Sequence, residues 1–271
     1  MKRTFLTLIL ACILAGAFAQ DSTTVKQDTV VKKKKSVTIK IDTESGVGVG
    51  NDDDDEDEDT PSKAPGFSFG ITFSRFDLGY AKLIDNGSFT LSPQNQFLSY
   101  RAGKTSTVGF DVLQMGYRFN SNFKIYLAGG IDWVHIRLRE DITILPNEPV
   151  LTYRQDTIDY SKNRFSSTYV RIPLAFEFRT RDDNRGRKFR FVAGPEIGFL
   201  LNGKVKQISD ENGKQKFKDD YHYTTFRYGA VVRVGYGGLG LFAKYYFNDM
   251  FENSPAQDGL RNMSFGLMAG F

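Results

Sequence analysis

From Gly66 onward the chain alternates apolar with small or polar residues at a period of two. Phe67, Phe69, Ile71 and Phe73 alternate with Ser68, Gly70, Thr72 and Ser74. The pattern returns over residues 123–133, 170–179, 189–199, 226–236, 239–247 and 262–271. A period of two is the side-chain period of a β-strand and matches no face of a helix. Each stretch has about the length that crosses a bilayer as a tilted strand.

The placement of charge narrows this further. In these stretches Asp132, Arg171, Glu177, Arg179, Arg190, Glu196, Arg227, Arg233 and Lys244 all share the parity of the small residues. None interrupts the apolar set. A charge on a lipid-facing strand position near the midplane costs roughly 2–4 kcal/mol, so a wall exposed to lipid demands this segregation. A soluble sandwich also segregates its charges, so parity alone does not decide. The aromatics do more. Phe67, Phe123, Trp133, Phe178, Phe189, Tyr236, Phe247 and Phe271 sit towards the ends of the apolar faces, as interfacial girdles do. The mean hydropathy of −0.36 is no objection, because lipid-facing and lumen-facing residues average out.

Connection lengths point the same way. Long links at residues 75–106, 137–163, 202–223 and 248–259 alternate with tight ones at 120–122, 180–187 and 237–238. Outer-membrane barrels place long loops outside and short turns in the periplasm, with both ends of the barrel domain inside. An eighth strand falls at residues 108–119. Its outer face is Leu113, Met115, Tyr117 and Phe119, so either Asp111 lies above the bilayer or a bulge switches the face. The expected fold is all-β: an eight-stranded antiparallel up-and-down transmembrane barrel in the cell outer membrane. Phe271, closing an alternating strand with Phe265 and Leu267, matches the address read by barrel-insertion machinery.

The remaining chain divides at composition shifts. Lys2 and Arg3, an apolar run, and Ala17-Phe18-Ala19 read as a signal peptide over residues 1–19. Cys12, the single cysteine, lies within it, so the mature chain offers no disulfide or thiolate site; cleavage after Ala19 is preferred to lipidation at Cys12. Residues 20–65 hold seven Lys against twelve Asp and Glu, including the acidic run at 52–59. They read as a disordered charged periplasmic segment, with one short strand over 37–41 that has little to pair with. Calcium binding by the acidic run lacks the regular loop spacing, and docking to a basic protein is the other alternative. The barrel domain is then residues 66–271.

Tyr169-Val170-Arg171-Ile172-Pro173-Leu174 followed by Phe189-Arg190-Phe191-Val192-Ala193-Gly194-Pro195-Glu196-Ile197-Gly198 resembles the paired-strand signature of PorT-like outer-membrane barrels, common in the Bacteroidota. Phe226-Arg227-Tyr228-Gly229, Arg233-Val234-Gly235-Tyr236 and Leu241-Phe242-Ala243-Lys244-Tyr245-Tyr246 resemble the distal half of that family. The resemblance implies an eight-stranded barrel, with some relatives assisting secretion machinery. It carries no catalytic residue.

The chemistry-bearing residues favour a non-enzyme without cofactor or metal. Asp220 and His222 resemble half of a barrel-protease site, for which Asp156 and Asp159 are the nearest candidates for the other half, but the spacing differs. His135 lacks the Ser that a lipid esterase needs; Arg137 stands there. The lumen charges fit a side-chain-filled interior better than a conduit, since eight strands leave little room. Lys204, Lys206, Lys214, Lys216 and Lys218 form a basic loop around Asn212-Gly213, read as contacting lipopolysaccharide phosphates or as a solvated hairpin. The expected function is structural or interactive, through the outer loops or the periplasmic segment. A narrow channel or secretion accessory is the alternative, and a loop-borne hydrolase a remote one. Expected partners are outer-membrane lipid and lipopolysaccharide, the barrel-assembly machinery and a protein partner, with no nucleic acid.

Overall fold

The computed structural model describes residues 65–71, 75–181 and 187–270, and the backbone alone of 37–42 and 46–51. Fourteen strands are found among them: β1 Val37–Asp42, β2 Gly46–Asn51, β3 Gly66–Ile71, β4 Phe76–Asp85, β5 Ser106–Arg118, β6 Phe123–Arg137, β7 Ile142–Ile144, β8 Tyr153–Gln155, β9 Lys162–Arg179, β10 Phe189–Ser209, β11 Gly213–Asp219, β12 Phe226–Tyr236, β13 Leu239–Tyr246 and β14 Leu260–Ala269. The barrel wall is the antiparallel ring β4–β5–β6–β9–β10–β12–β13–β14, closed by β14 on β4. Closure leaves the wall without a free edge, as a spanning sheet requires. The turns at 119–122 and 237–238, the end of β9 and the start of β10 lie at the same end as the start of β3 and the end of β14. The long connections lie at the other end.

The side chains sort as the parity predicts. Along β12, Phe226, Tyr228, Val232 and Tyr236 face out and are exposed, while Arg227, Val231 and Arg233 are buried inside. Exposed Leu174, Phe178, Phe191, Leu241 and Leu267 continue the outer apolar belt around the wall.

Three expectations are corrected. The first wall strand does not stop at 74 with a link over 75–106: the wall resumes as β4 and runs to Asp85. Both β3 and β4 pair with β5, so β4 continues the same position in the wall. Phe76-Asp77-Leu78-Gly79-Tyr80-Ala81 keeps the alternation, and the charges at 75 and 77 that disguise it are buried inside. Second, the long links carry structure. β10 runs on to Ser209 and returns as β11, turning at Gly213 with φ +61°, and β7 and β8 form a small hairpin. Third, the 37–41 strand does find a partner. β1 pairs with β2, and β2 with β3 through Val47↔Ile71, so 37–51 includes paired backbone.

Asp111 resolves as the bulge alternative. Asp111 opposes Gly130 while Leu113 opposes Gly129, leaving Val112 as the extra residue. The face switches there, so Asp111 is fully buried and Leu113 is exposed. A second bulge between Leu200 and Asn202 switches β10 in the same way.

Candidate functional site

The lumen holds two layers of different chemistry. At mid-height, three aspartates from three strands meet basic residues from β9, β12 and β13 and from Arg75. Arg171 is the hub. Its Nη1 lies 2.5 Å from Asp77 Oδ2, and its Nε and Nη2 donate to Asp111 Oδ1 at 3.0 and 2.7 Å. Asp77 Oδ2 also lies 3.2 Å from both Arg233 Nη2 and Lys244 Nζ. Lys244 bridges on to Asp132 Oδ1 at 3.1 Å, and Arg227 donates to Asp132 Oδ2 at 2.7 Å. Arg75 completes the set at 3.3 Å from Asp111.

All of these side chains are buried. Every aspartate has at least two basic neighbours, which is what keeps buried charge tolerable. Two further devices hold the cations. Arg227 lies between the rings of Tyr169 and Tyr246, 3.8 and 4.1 Å from their centroids. Gly109 leaves room for the hub: a Cβ there would fall 2.6 Å from Arg171 Nη1 and 2.8 Å from Asp132 Oδ1.

The sequence-read lumen charges divide by height. Arg171, Arg227, Arg233 and Lys244 belong to the mid-height network. Glu196 is buried beside it and accepts from Tyr246 Oη at 2.6 Å. Glu177, Arg179 and Arg190 form a separate group towards the periplasmic mouth, with Arg179 Nε donating to Glu177 at 2.7 Å. Asp77, Arg75 and Asp111 complete the network. The period-two signal of residues 76–81 is what would have exposed the first of them.

Above the network the lumen becomes apolar. Leu83, Val134, Ile136, Phe165 and Val205 from the wall pack against Ile142 and Ile144 of β7, and against Leu98, Tyr221, Tyr223 and Phe251 from the outer loops. Phe165 stacks on Tyr223 at 4.7 Å and meets Tyr221 edge-on at 5.5 Å. Tyr221 and His222 both adopt left-handed backbone (φ 50° and 56°), the turn that drives Tyr221 into this core. Between the two layers a cavity of about 20 Å³ remains, lined in part by Tyr169, Tyr223, Arg227 and Asn262. That is space for a single water.

The outer loops are fastened by carboxylates. Asp85 accepts from Ser92 N–H and Oγ, both at 2.7 Å, from Asn95 Nδ2 at 2.9 Å and from Asn86 Nδ2 at 3.0 Å. These bonds set the short 3-10 helix Pro93–Leu98, which delivers Phe97 and Leu98 into the apolar core. Burial by itself would raise the Asp85 carboxyl, but the donors outweigh it and hold it below the usual carboxylate range. Asp156 is lowered in the same way, with burial opposed by donors from Thr143, Arg154 and Tyr160.

The residues weighed for hydrolysis are engaged separately. His222 Nε2 lies 2.7 Å from the Glu148 carbonyl, Asp156 belongs to the Thr143–Tyr160 group, and Asp219 accepts from Asn147 N–H at 2.9 Å. Asp220 accepts from the His222 backbone N–H at 3.2 Å, and Asp159 is exposed. His135 faces outward from the wall. Phe265 and Leu267 are exposed on the outer face of β14, whereas Phe271 lies outside the described residues.

Two solved structures of Ail, the attachment invasion locus protein of Yersinia pestis, align with this chain at 14% identity and a TM-score of 0.31, covering 77% of it. The alignments take in 97% and 98% of Ail, and the second structure is in complex with the heparin analogue sucrose octasulfate. A search of curated proteins returned no match. A family described as outer membrane protein beta-barrel domain matches residues 64–252, the greater part of the chain. With a closed antiparallel wall, an outward apolar belt and charge confined to the lumen, the chain belongs to the outer membrane protein beta-barrel family and is an integral protein of the cell outer membrane.

Proposed function

We propose that this protein is a closed, non-conducting and non-enzymatic barrel whose role is structural or interactive, exercised from its outer surface. One observation carries the reading: the lumen is occupied in series by a buried ionic layer and an apolar layer, with space for one water between them. A solute crossing would have to separate Asp77, Asp111 and Asp132 from their cations and then displace packed aromatic rings. Conduction requires sites from which an ion can leave, and these aspartates are already neutralised by protein. Within the family, the PorT-like resemblance of the two strand signatures favours an accessory rather than a catalyst. The outward row Phe265 and Leu267, with Phe271, serves in this reading as the recognition strip for the barrel-assembly machinery.

Planar-bilayer recording of the purified chain tests the closed lumen. No discrete current steps are expected at ordinary voltages, and reproducible single-channel steps from the unaltered protein would overturn it.

A further inference from the structure

The outer face of the barrel changes character abruptly above the lipid belt. Along β9 the outward residues read Phe178, Phe176, Leu174, Ile172 and Val170, then Thr168 and Ser166, then Arg164 and Lys162. Arg164 stands level with cations on three other strands. It pairs across with Arg137 of β6 and Lys206 of β10, and Lys206 pairs with Lys216 of β11. Four like charges thus sit side by side in one row, with cross-strand Cβ spacings of about 5 Å. The row nearer the membrane adds Lys204 opposite Lys218, and the row beyond adds Lys162 and Lys214 flanking Ile208. The bulge at Leu201 turns Lys204 and Lys206 outward, while Val205 between them is buried in the apolar core.

Among the described residues, none of these eight cations makes an ion pair. Like charges directly opposite one another on a sheet are destabilising, so the face gains from a bound anion.

Depth indicates which anion. Trp133 is the outward residue immediately below His135, which is level with Lys204 through Ser166. At about 3.3 Å per residue, the Lys204 row lies roughly 7 Å along the strand above Trp133, and the Arg164 row another 7 Å. Interfacial tryptophan marks the headgroup boundary, and the polar layer is several ångströms deep on each side. We propose that this face of β6, β9, β10 and β11 binds the phosphates of a phosphorylated glycolipid in the outer leaflet. The two guanidiniums would grip phosphate in bidentate fashion while the lysines supply point charges.

The test uses the full chain in detergent, titrated with bisphosphorylated lipid A, with the same lipid stripped of phosphate, and with soluble inorganic polyphosphate. Trp133, the only tryptophan, reports binding through its emission. Saturable binding of the phosphorylated lipid is expected, at least about tenfold tighter than either control, since each basic residue near an anionic surface contributes substantially. Combining Lys204→Gln, Lys206→Gln, Lys216→Gln and Lys218→Gln should weaken it about tenfold or more in variant protein whose folding is verified by gel mobility with and without heating. Equal affinity for the stripped lipid, or unchanged affinity in the folded variant, overturns the proposal. Tighter binding of polyphosphate overturns the lipid assignment and makes the face a site for a soluble polyanion. Should the variant misfold, salt titration of the unaltered chain decides: affinity that does not fall with ionic strength overturns the proposal.

Discussion

Arg171 shows how one side chain can set the condition of a whole interior. It touches Asp77 and Asp111 directly and lies 3.7 Å from Asp132. Its removal leaves buried carboxylates short of a partner, and breaking a buried pair from one side typically costs about 3–5 kcal/mol. Arg171→Ala is therefore expected to lower the urea midpoint of the folded barrel markedly. Arg171→Lys should recover only part of this, because an ammonium cannot reproduce the fork that holds two aspartates. Unfolding followed by gel mobility checks both, and a midpoint unchanged in Arg171→Ala would show the network to be dispensable. Arg171 is legible in the sequence because its neighbours alternate without interruption. Asp77 is harder to read, since the apolar parity shifts from odd residues up to Phe73 to even residues from Phe76, and only the lumen shows that its charge answers those of β9, β12 and β13.

At the scale of elements, the outer loops behave like a small soluble core built on the barrel rim. The fastening at Asp85 uses neutral donors, so its strength follows the charge of one carboxylate. Its folded pKa is depressed, so the stabilisation is present above the unfolded carboxylate pKa and is lost as pH falls through the lower folded value. Asp156 responds in the same direction. Acidification below about pH 4 should therefore loosen the loop at 86–105 and the β7–β8 hairpin before the wall opens. Asp85→Ala should produce the same loosening of the 86–105 loop at neutral pH. Hydrogen exchange at the 3-10 helix Pro93–Leu98 measures both effects, and protection that is independent of pH and of the substitution would contradict them. These elements were only partly legible. Alternation marks the wall strands, because one face meets lipid and the other the lumen. The loop core carries no such period: Leu98, Ile142, Tyr221 and Phe251 are brought together by the ring, not by spacing. The bulge in β5 shows in the sequence as the parity conflict at Asp111, whereas the bulge at Leu201 leaves no such mark, although each reverses which residues face out.

For the whole molecule, the governing fact is an imbalance of charge between its parts. Residues 20–65 hold seven Lys against twelve Asp and Glu, whereas residues 66–271 hold 27 Lys and Arg against 20 Asp and Glu. The lumen absorbs part of the barrel's excess internally, and the basic outer face presents much of the remainder. A chain lacking residues 20–65 should still close its ring, since β3 retains β5 and the β14–β4 seam is untouched. It should also retain phosphorylated-lipid binding within about twofold, because the proposed site is built from β6, β9, β10 and β11 alone. Comparison of the proteins co-purifying with the full and shortened chains completes the experiment. An identical set leaves the segment as a linker, whereas a partner lost with the segment and restored by residues 52–59 would assign those residues a docking role.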